Sequence, residues 1–235
     1  MAIEAEELTD VAVVDLATTP LRELNRRLHE PGAQRRWRIL NPNGAHAVAC
    51  GLDAPLEVEI EGHVGYYCAG MNKLATVRVH GNAGPAVAEN MVAGTVLVDG
   101  AASHWAGASG RGGLLVVRGD AAARCGISMK GIDIVVLGSI GHMSAFMAQR
   151  GCLVVCGDAG EAFGDSIYEA RLYVRGGVAS LGADCIEKEL RDEHVAELRS
   201  LLERAGFEDL DPVEFRRYGS ARRLYNFKID NAGSH

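Results

Sequence analysis

Gly62, Gly81, Gly100, Gly119, Gly138, Gly157 and Gly176 fall on every nineteenth position, with no insertion between them. Other columns keep the same step. Two residues before each glycine come Ile60, Val79, Val98, Val117, Val136, Val155 and Val174. Four before it come Val58, Val77, Val96, Leu115, Ile134, Leu153 and Leu172. Each unit therefore opens with a short strand whose apolar side chains alternate at period two. β-Branched residues dominate it, as suits a pleated surface. After each glycine the side chains shrink: Gly65, Gly84, Ser103, Ala122, Gly141, Gly160 and Ala179 lie three on, and Ala69, Ala88, Gly107, Gly126, Ala145, Gly164 and Ala183 lie seven on. Chance does not hold four columns in register over seven units.

A unit this short cannot bury its own apolar face and must stack on its neighbours. With one unit per coil, equivalent positions lie above one another and the strands pair in parallel. At about 4.8 Å per coil, seven coils make a rod of roughly 30 Å. The pattern predicts a mainly β fold: a parallel β-helix, or solenoid, of about seven 19-residue coils. Its Val columns become interior ladders. Its Gly columns are expected at corners, where φ can be positive and no side chain blocks the next coil. The period excludes hexapeptide solenoids, whose coils run in multiples of six, and leucine-rich repeats, which would show Leu and Asn columns.

Both ends of such a rod need covering, and helical caps are expected there. Residues 1–36 read as an N-terminal cap segment with a helix, 37–190 as the β-helix, and 191–235 as a C-terminal helix and tail. Thr19 and Pro20 start a helix with Leu21, Leu24 and Leu28 on one face, ended by Pro31 and Gly32. Trp37 to Gly51 reads as an imperfect extra coil, with Gly44 lying one position short of a full step before Gly62. Ile186, Leu190, Leu198, Leu201, Leu202 and Ala205 share a helical face, and Gly206 reads as the C-cap. Two readings stand for the basic, aromatic tail from Phe215 to Lys228: disorder, or docking on a partner.

Composition narrows the function. The chain has 235 residues, 29 of them Gly, and 48% are hydrophobic. The Gly share exceeds the usual level of about 7%. A net charge of −7 argues against a nucleic-acid surface, which needs clustered Lys and Arg. No apolar stretch reaches the roughly 18 residues of a membrane span. Met1 to Asp10 shows four carboxylates and no basic signal-peptide start. The expected compartment is the cytoplasm, with Cys50, Cys68, Cys125, Cys152, Cys156 and Cys185 reduced and buried. Cys152 and Cys156 share a strand face about 13 Å apart, too far for a disulfide.

No phosphate-binding loop, HExxH, GxSxG or kinase set is present. The glycines of Gly107 to Gly113 belong to the repeat columns, not to a dinucleotide fingerprint. One flank carries a candidate stripe. Tyr66, His104 and His142 lie four past the glycine in alternate coils, beside Tyr67, Trp105 and Met143. Two readings are open: a partner-contact face, since aromatics and Met are enriched in interface cores, or packing under a cap. Asp158, Glu161, Asp165 and Glu169 admit a catalytic pair but read better as a solvated loop. Lys130, in a Gly-rich turn, reads as solvated, with an anion contact as the alternative.

The unit Gly157–Asp158–Ala159–Gly160–Glu161–Ala162–Phe163–Gly164 resembles the GXGXG domain, the C-terminal right-handed parallel β-helix of the glutamate synthase large subunit. The likeness covers about residues 37–190. The flanks extend it: Asp15 to Asn25, and Cys125–Gly126–Ile127–Ser128–Met129–Lys130–Gly131, are similar to the stand-alone β-helix subunit of complexes of the N-methylglutamate synthase type (methylamine–glutamate N-methyltransferase). The resemblance implies a non-catalytic scaffold within a hetero-oligomer. Its implied partners are a class II glutamine amidotransferase-like subunit and an FMN-binding glutamate-synthase-like subunit. FMN and any iron–sulfur cluster belong to a partner, so no catalytic, cofactor or metal residue is expected in this chain. Two alternatives stand beside it. One is the β-helix subunit of a formylmethanofuran dehydrogenase-like complex. The other is an autonomous β-helix enzyme such as a polysaccharide lyase, which would need Asp, Arg and Lys gathered along one groove.

Overall fold

The computed structural model describes residues 11–223. A strand β1 (Val11–Asp15), a helix α1 (Leu21–His29) and a strand β2 (Arg36–Leu40) lead into the repeat. Seven strands follow: β3 (Glu57–Glu61), β4 (Thr76–Val79), β5 (Thr95–Val98), β6 (Leu114–Val117), β7 (Asp133–Val136), β8 (Cys152–Val155) and β9 (Arg171–Val174). The chain closes with β10 (Cys185–Lys188), α2 (Asp192–Ala205), a short 3-10 turn (Pro212–Glu214) and β11 (Arg216–Ser220). From β1 to β9 the strands pair in parallel and in chain order. From β3 onward each residue pairs with its equivalent one repeat further along the chain, as in Val58 with Val77 and Val77 with Val96. The parallel β-solenoid read from the glycine period is the fold.

The interior is built from the predicted columns. Val58, Ile60, Val77, Val79, Val96 and Val98 are all nearly inaccessible. A second parallel ladder runs beyond the glycines through Val64, Ala83, Ala102, Ala121, Ile140, Ala159 and Val178. Small side chains there let the coil turn within a narrow cross-section.

Of the two expected roles of the column glycines, room for the neighbouring coil holds throughout and positive φ at one position. Among the seven that define the period, only Gly62 has a positive φ, +132°. The others are required by close approach. A Cβ on Gly81 would sit 2.7 Å from the Gly62 carbonyl carbon, and one on Gly157 2.7 Å from that of Gly138. Gly160 is confined in the same way by Gly141, at 2.8 Å. Left-handed backbone is carried elsewhere, and mostly by residues with a Cβ: Tyr67, Ala86, Trp105, Arg124, Met143 and Ala162 have φ between 52° and 64°. Two residues further on, Ala69, Ala88 and Ala145 share the left-handed state with Gly107, Gly126 and Gly164. Single residues tolerate this conformation at about 1–2 kcal/mol each, and the ladder above and below holds them there. Tyr67, for example, donates its N–H to Pro85 O of the next coil at 2.9 Å, and Ala69 donates to Val48 O of the preceding coil at 2.9 Å.

The ends bring further corrections. The extra coil at Trp37 exists, but its step is two positions longer than the others, with Arg36 paired to Glu57. Gly44 therefore lies under Gly65, not under Gly62: its carbonyl oxygen occupies the space a Gly65 Cβ would need. The N-terminal segment also contributes β1, which pairs with β2. Helix α1 buries Leu24 and Leu28, and Asn25 ties it down through Ala47 O at 2.8 Å and Ala49 N–H at 3.0 Å. At the other end Ile186 sits in β10, exposed, and Leu190 precedes α2. Only Leu198, Leu201, Leu202 and Ala205 form the buried helical face. Gly206 caps α2 with φ +79°. Part of the tail neither dangles nor waits for a partner: β11 inserts antiparallel between β9 and β10, blunting the last parallel edge. Leu224 to Lys228, with Tyr225 and Phe227, lies outside the described residues.

Outward-facing strand positions decide where α2 docks. In β3 and β4 they are Glu59 and Arg78. In β6, β7 and β8 they are Val116, Val135 and Val154. Those three, with Tyr173, pack under Leu198, Leu201, Leu202 and Phe215 in a second apolar cluster outside the solenoid. Full burial of each such leucine contributes about 2 kcal/mol of transfer free energy. The apolar half of the outer wall is thus covered, and the charged half is left to solvent.

Candidate functional site

The five side chains selected from the sequence share one flank. Each residue five past the glycine donates its N–H to the residue four past the glycine in the next coil. Tyr67 reaches Pro85, Ala86 reaches His104, Trp105 reaches Ala123 and Arg124 reaches His142, at 2.8–3.1 Å. Tyr66, Tyr67, His104, Trp105 and His142 therefore stand in one stacked double column. Among the described residues neither cap covers Tyr66, which is 46% exposed, or Trp105, 39% exposed; His104 and His142 are exposed as well, and Tyr67 is half-buried.

The flank divides into two aromatic knots. Tyr66 stacks on Tyr67 with ring centroids 5.4 Å apart and meets His46 edge-on at 6.5 Å. His46 Nδ1 also accepts the Tyr66 N–H at 2.9 Å. His104 and Trp105 form the second knot at 5.8 Å, with Pro85 and Ala86 of the intervening coil between the two. An exposed aromatic ridge held on a hydrogen-bonded frame is a contact surface of low conformational entropy cost.

Polar residues that looked chemically active serve the stacking. One past the glycine, a side chain accepts the N–H of the next coil five times over. His63 accepts from Asn82 at 2.9 Å, Asn82 from Ala101 at 2.9 Å, Asp120 from Ser139 at 2.7 Å, Ser139 from Asp158 at 3.0 Å and Asp158 from Gly177 at 2.6 Å. These acceptors satisfy corner amides that the strand ladder cannot reach. The same atoms explain the glycine column: the Asp158 Oδ1 fills the space a Gly176 Cβ would need. Asp165 likewise accepts from Ala183 N–H at 3.1 Å and Ser166 Oγ at 2.6 Å. Asp158 and Asp165 are engaged by backbone N–H groups of the next coil, and Glu161 and Glu169 are exposed.

Sequence reading missed the charged outer wall. Asp99 sits at its centre. It accepts from Arg78 at 3.1 Å and His80 at 2.9 Å, with Arg118 at 3.4 Å. His80 also contacts Glu59. Arg36 pairs with Glu57 at 3.1 Å and Arg38 with Glu61 at 3.3 Å. Burial pulls the Asp99 carboxyl upward, but Arg78 and His80 overcome it and hold it below the ordinary aspartate value. The signal was available: Glu61, His80, Asp99 and Arg118 occupy one column of the repeat, with acidic and basic residue types alternating. Asp133 moves the other way. Burial raises it, despite the Cys152 N–H and Arg204.

All six cysteines are free thiols; five are buried as expected, while Cys50 is only partly buried. Burial raises Cys156 to about 11 and Cys125, Cys152 and Cys185 to about 12. Cys68 and Cys125 fill the interior column that Phe163 fills in a later coil. Among the described residues, no group of three His, Cys, Asp or Glu is placed to hold a metal ion, and no helix is long and apolar enough to cross a membrane.

Fold and surface together define a capped parallel β-solenoid whose corner polar groups serve coil stacking and whose aromatics are presented outward. The chain belongs to the same family as Protein GlxC of Rhizobium meliloti (strain 1021): the two are 64% identical over 226 residues, 95% of this chain and 99% of that relative. No protein-family model and no solved structure matches it.

Proposed function

We propose that this chain is the non-catalytic structural subunit of a glutamate-synthase-like complex of the N-methylglutamate synthase type. It packs between a class II glutamine amidotransferase-like subunit and an FMN-binding subunit, and FMN and any iron–sulfur cluster reside on a partner. The observation that carries this reading is the unit of a glycine followed by small residues three and seven positions on, all glycine in Gly157, Gly160 and Gly164, repeated through a solenoid that makes up most of the chain. The kinship with Protein GlxC supports a glutamate-synthase-related subunit. That relative is matched over 99% of its own length, so both are solenoids of similar extent. The ridge of Tyr66, Tyr67, His104, Trp105 and His142 supplies a surface for a partner.

Affinity purification of the chain from its native host at low salt, with mass spectrometry and an absorption spectrum, tests the reading. Co-purification of a flavoprotein and an amidotransferase-like protein is the expected result. A molybdenum or tungsten protein in their place would move the chain to a formylmethanofuran dehydrogenase-like complex. Recovery of the chain alone and colourless would overturn the subunit reading.

A further inference from the structure

A polar cleft of about 650 Å³ opens where the turns leading into β7, β8 and β9 meet the C-terminal segment. Its walls come from distant parts of the chain: Arg150 precedes β8, Arg171 begins β9, Lys188 ends β10, and Arg217 and Arg222 lie in and just after β11. Against these five cations the cleft holds, among the described residues, two carboxylates, Asp133 and Glu169, a surplus of three positive charges in a chain whose net charge is −7.

The carboxylates do not neutralise the site. Asp133 already has Arg204 from outside the cleft at 3.3 Å, and Glu169 has Arg222 at 4.0 Å. Arg171 pairs with Glu197 at 2.6 Å, but its Nε is buried without a hydrogen-bond partner among the described residues. Arg217 donates to a neutral carbonyl, Glu189 O, at 2.9 Å. Arg150 and Lys188 form no ion pair among the described residues. The positive groups also feel one another. Burial, and then Arg191 and Arg171 against an opposing Tyr173, lowers Arg217, while burial and then Arg217 lower His194 on the same wall. A smaller pocket beside the cleft shares Arg150, Tyr168 and Glu169 and adds Lys130, the lysine whose Gly-rich turn left an anion contact open.

A concave wall of one charge sign focuses its field into the cleft, and guanidinium forks match the planar geometry of carboxylate and phosphate oxygens. We propose that this cleft is a binding site for a small oxyanion carrying at least two negative charges, either a phosphate or a dicarboxylate. The site lies in the turns flanking α2 and is independent of the aromatic ridge and of the subunit reading.

Calorimetric titration of the purified full chain in low-salt, phosphate-free buffer tests the site, with inorganic phosphate and succinate as separate probes and acetate as the monoanion control. Saturable binding of either dianion, tighter than acetate, is expected. Phosphate alone would assign a phosphate ligand and succinate alone a dicarboxylate. The double variant Arg150→Gln, Lys188→Gln removes two cations without breaking an ion pair among the described residues. It should keep the wild-type melting temperature and bind the preferred probe at least about tenfold more weakly, the size of one charged contact. Two results would overturn the proposal: dianions that bind no better than acetate, or an unchanged affinity in the double variant. Should the double variant melt early, Lys188→Gln alone serves as the readout.

Discussion

A Cβ placed on Gly119 would lie 2.9 Å from both the carbonyl carbon and the carbonyl oxygen of Gly100 in the preceding coil. Real Cβ atoms do not approach backbone this closely, and backbone locked in a parallel ladder cannot step aside. Gly119→Val and Gly157→Val should therefore each destabilise the chain by about 3 kcal/mol. Gly206 is the control. It has a left-handed φ of +79° but open space around its Cα, so Gly206→Ala should cost only about 1 kcal/mol, the strain alone. Urea unfolding of the three variants checks the order. Equal losses for all three would return the glycine column to a φ requirement.

Trp105 presents the converse case, a large side chain held at φ +64° and 39% exposed. Trp105→Gly relieves the left-handed strain and removes little packing, so stability should stay within about 0.5 kcal/mol of wild type. Retention by partners in low-salt co-purification should nonetheless fall. A variant that is both stable and fully retained would remove Trp105 from the contact surface.

The outer apolar wall depends on α2. Leu202 is 1% exposed and packs toward Val116, Val135 and Val154, so Leu202→Ala should cost about 3 kcal/mol. Hydrogen exchange should rise first in α2 and β11, ahead of β3 to β5. Uniform loss of protection along the solenoid would show instead that α2 unfolds only with the whole rod.

Asp99 sets a sign for acid stability. Its carboxyl titrates lower in the folded chain than its ordinary 3.8. Its stabilising contribution is thus fully present above 3.8 and is lost as pH falls through the lower folded value. Asp99→Asn should be less stable than wild type at neutral pH, and the gap should close below pH 3.8. A gap that widens on acidification would contradict the Arg78 and His80 pairing.

Buried, raised thiols should be inert. With Cys125, Cys152 and Cys185 titrating at about 12, thiolate is scarce at pH 8 and nucleophilic attack is slow. Ellman's reagent should find no fast thiol in the native chain and all six cysteines after denaturation. Rapid labelling of Cys125 would place it outside the interior column, and rapid labelling of Cys152 would place it outside the cluster under α2.

Much of the candidate site was legible because it repeats. The flank of Tyr66, His104 and His142 follows from the period alone: residues at one offset from the glycine must stack. The outer polar wall around Asp99 is equally periodic, but acidic and basic residue types alternate in it, so no single residue type marks the column. Gly44 was set against the wrong glycine because its coil is longer than the rest, and an isolated insertion leaves no column to count from.

The sequence by itself determined the coil length, the inward-facing columns and the glycines that let coils approach, since all three are properties of a one-dimensional period. Tertiary structure alone decided the rest. Left-handed φ fell on Tyr67, Trp105 and Met143 and, of the seven column glycines, on Gly62 alone, because hydrogen bonds from two neighbouring coils set the backbone there. β11 slid between β9 and β10, and α2 chose the wall of Val116, Val135 and Val154, because those choices depend on surfaces that exist only once the rod is built. The cleft joining Arg150, Arg171, Lys188 and Arg217 arises the same way: nothing in the spacing of these residues relates them until the C-terminal segment folds back onto the solenoid.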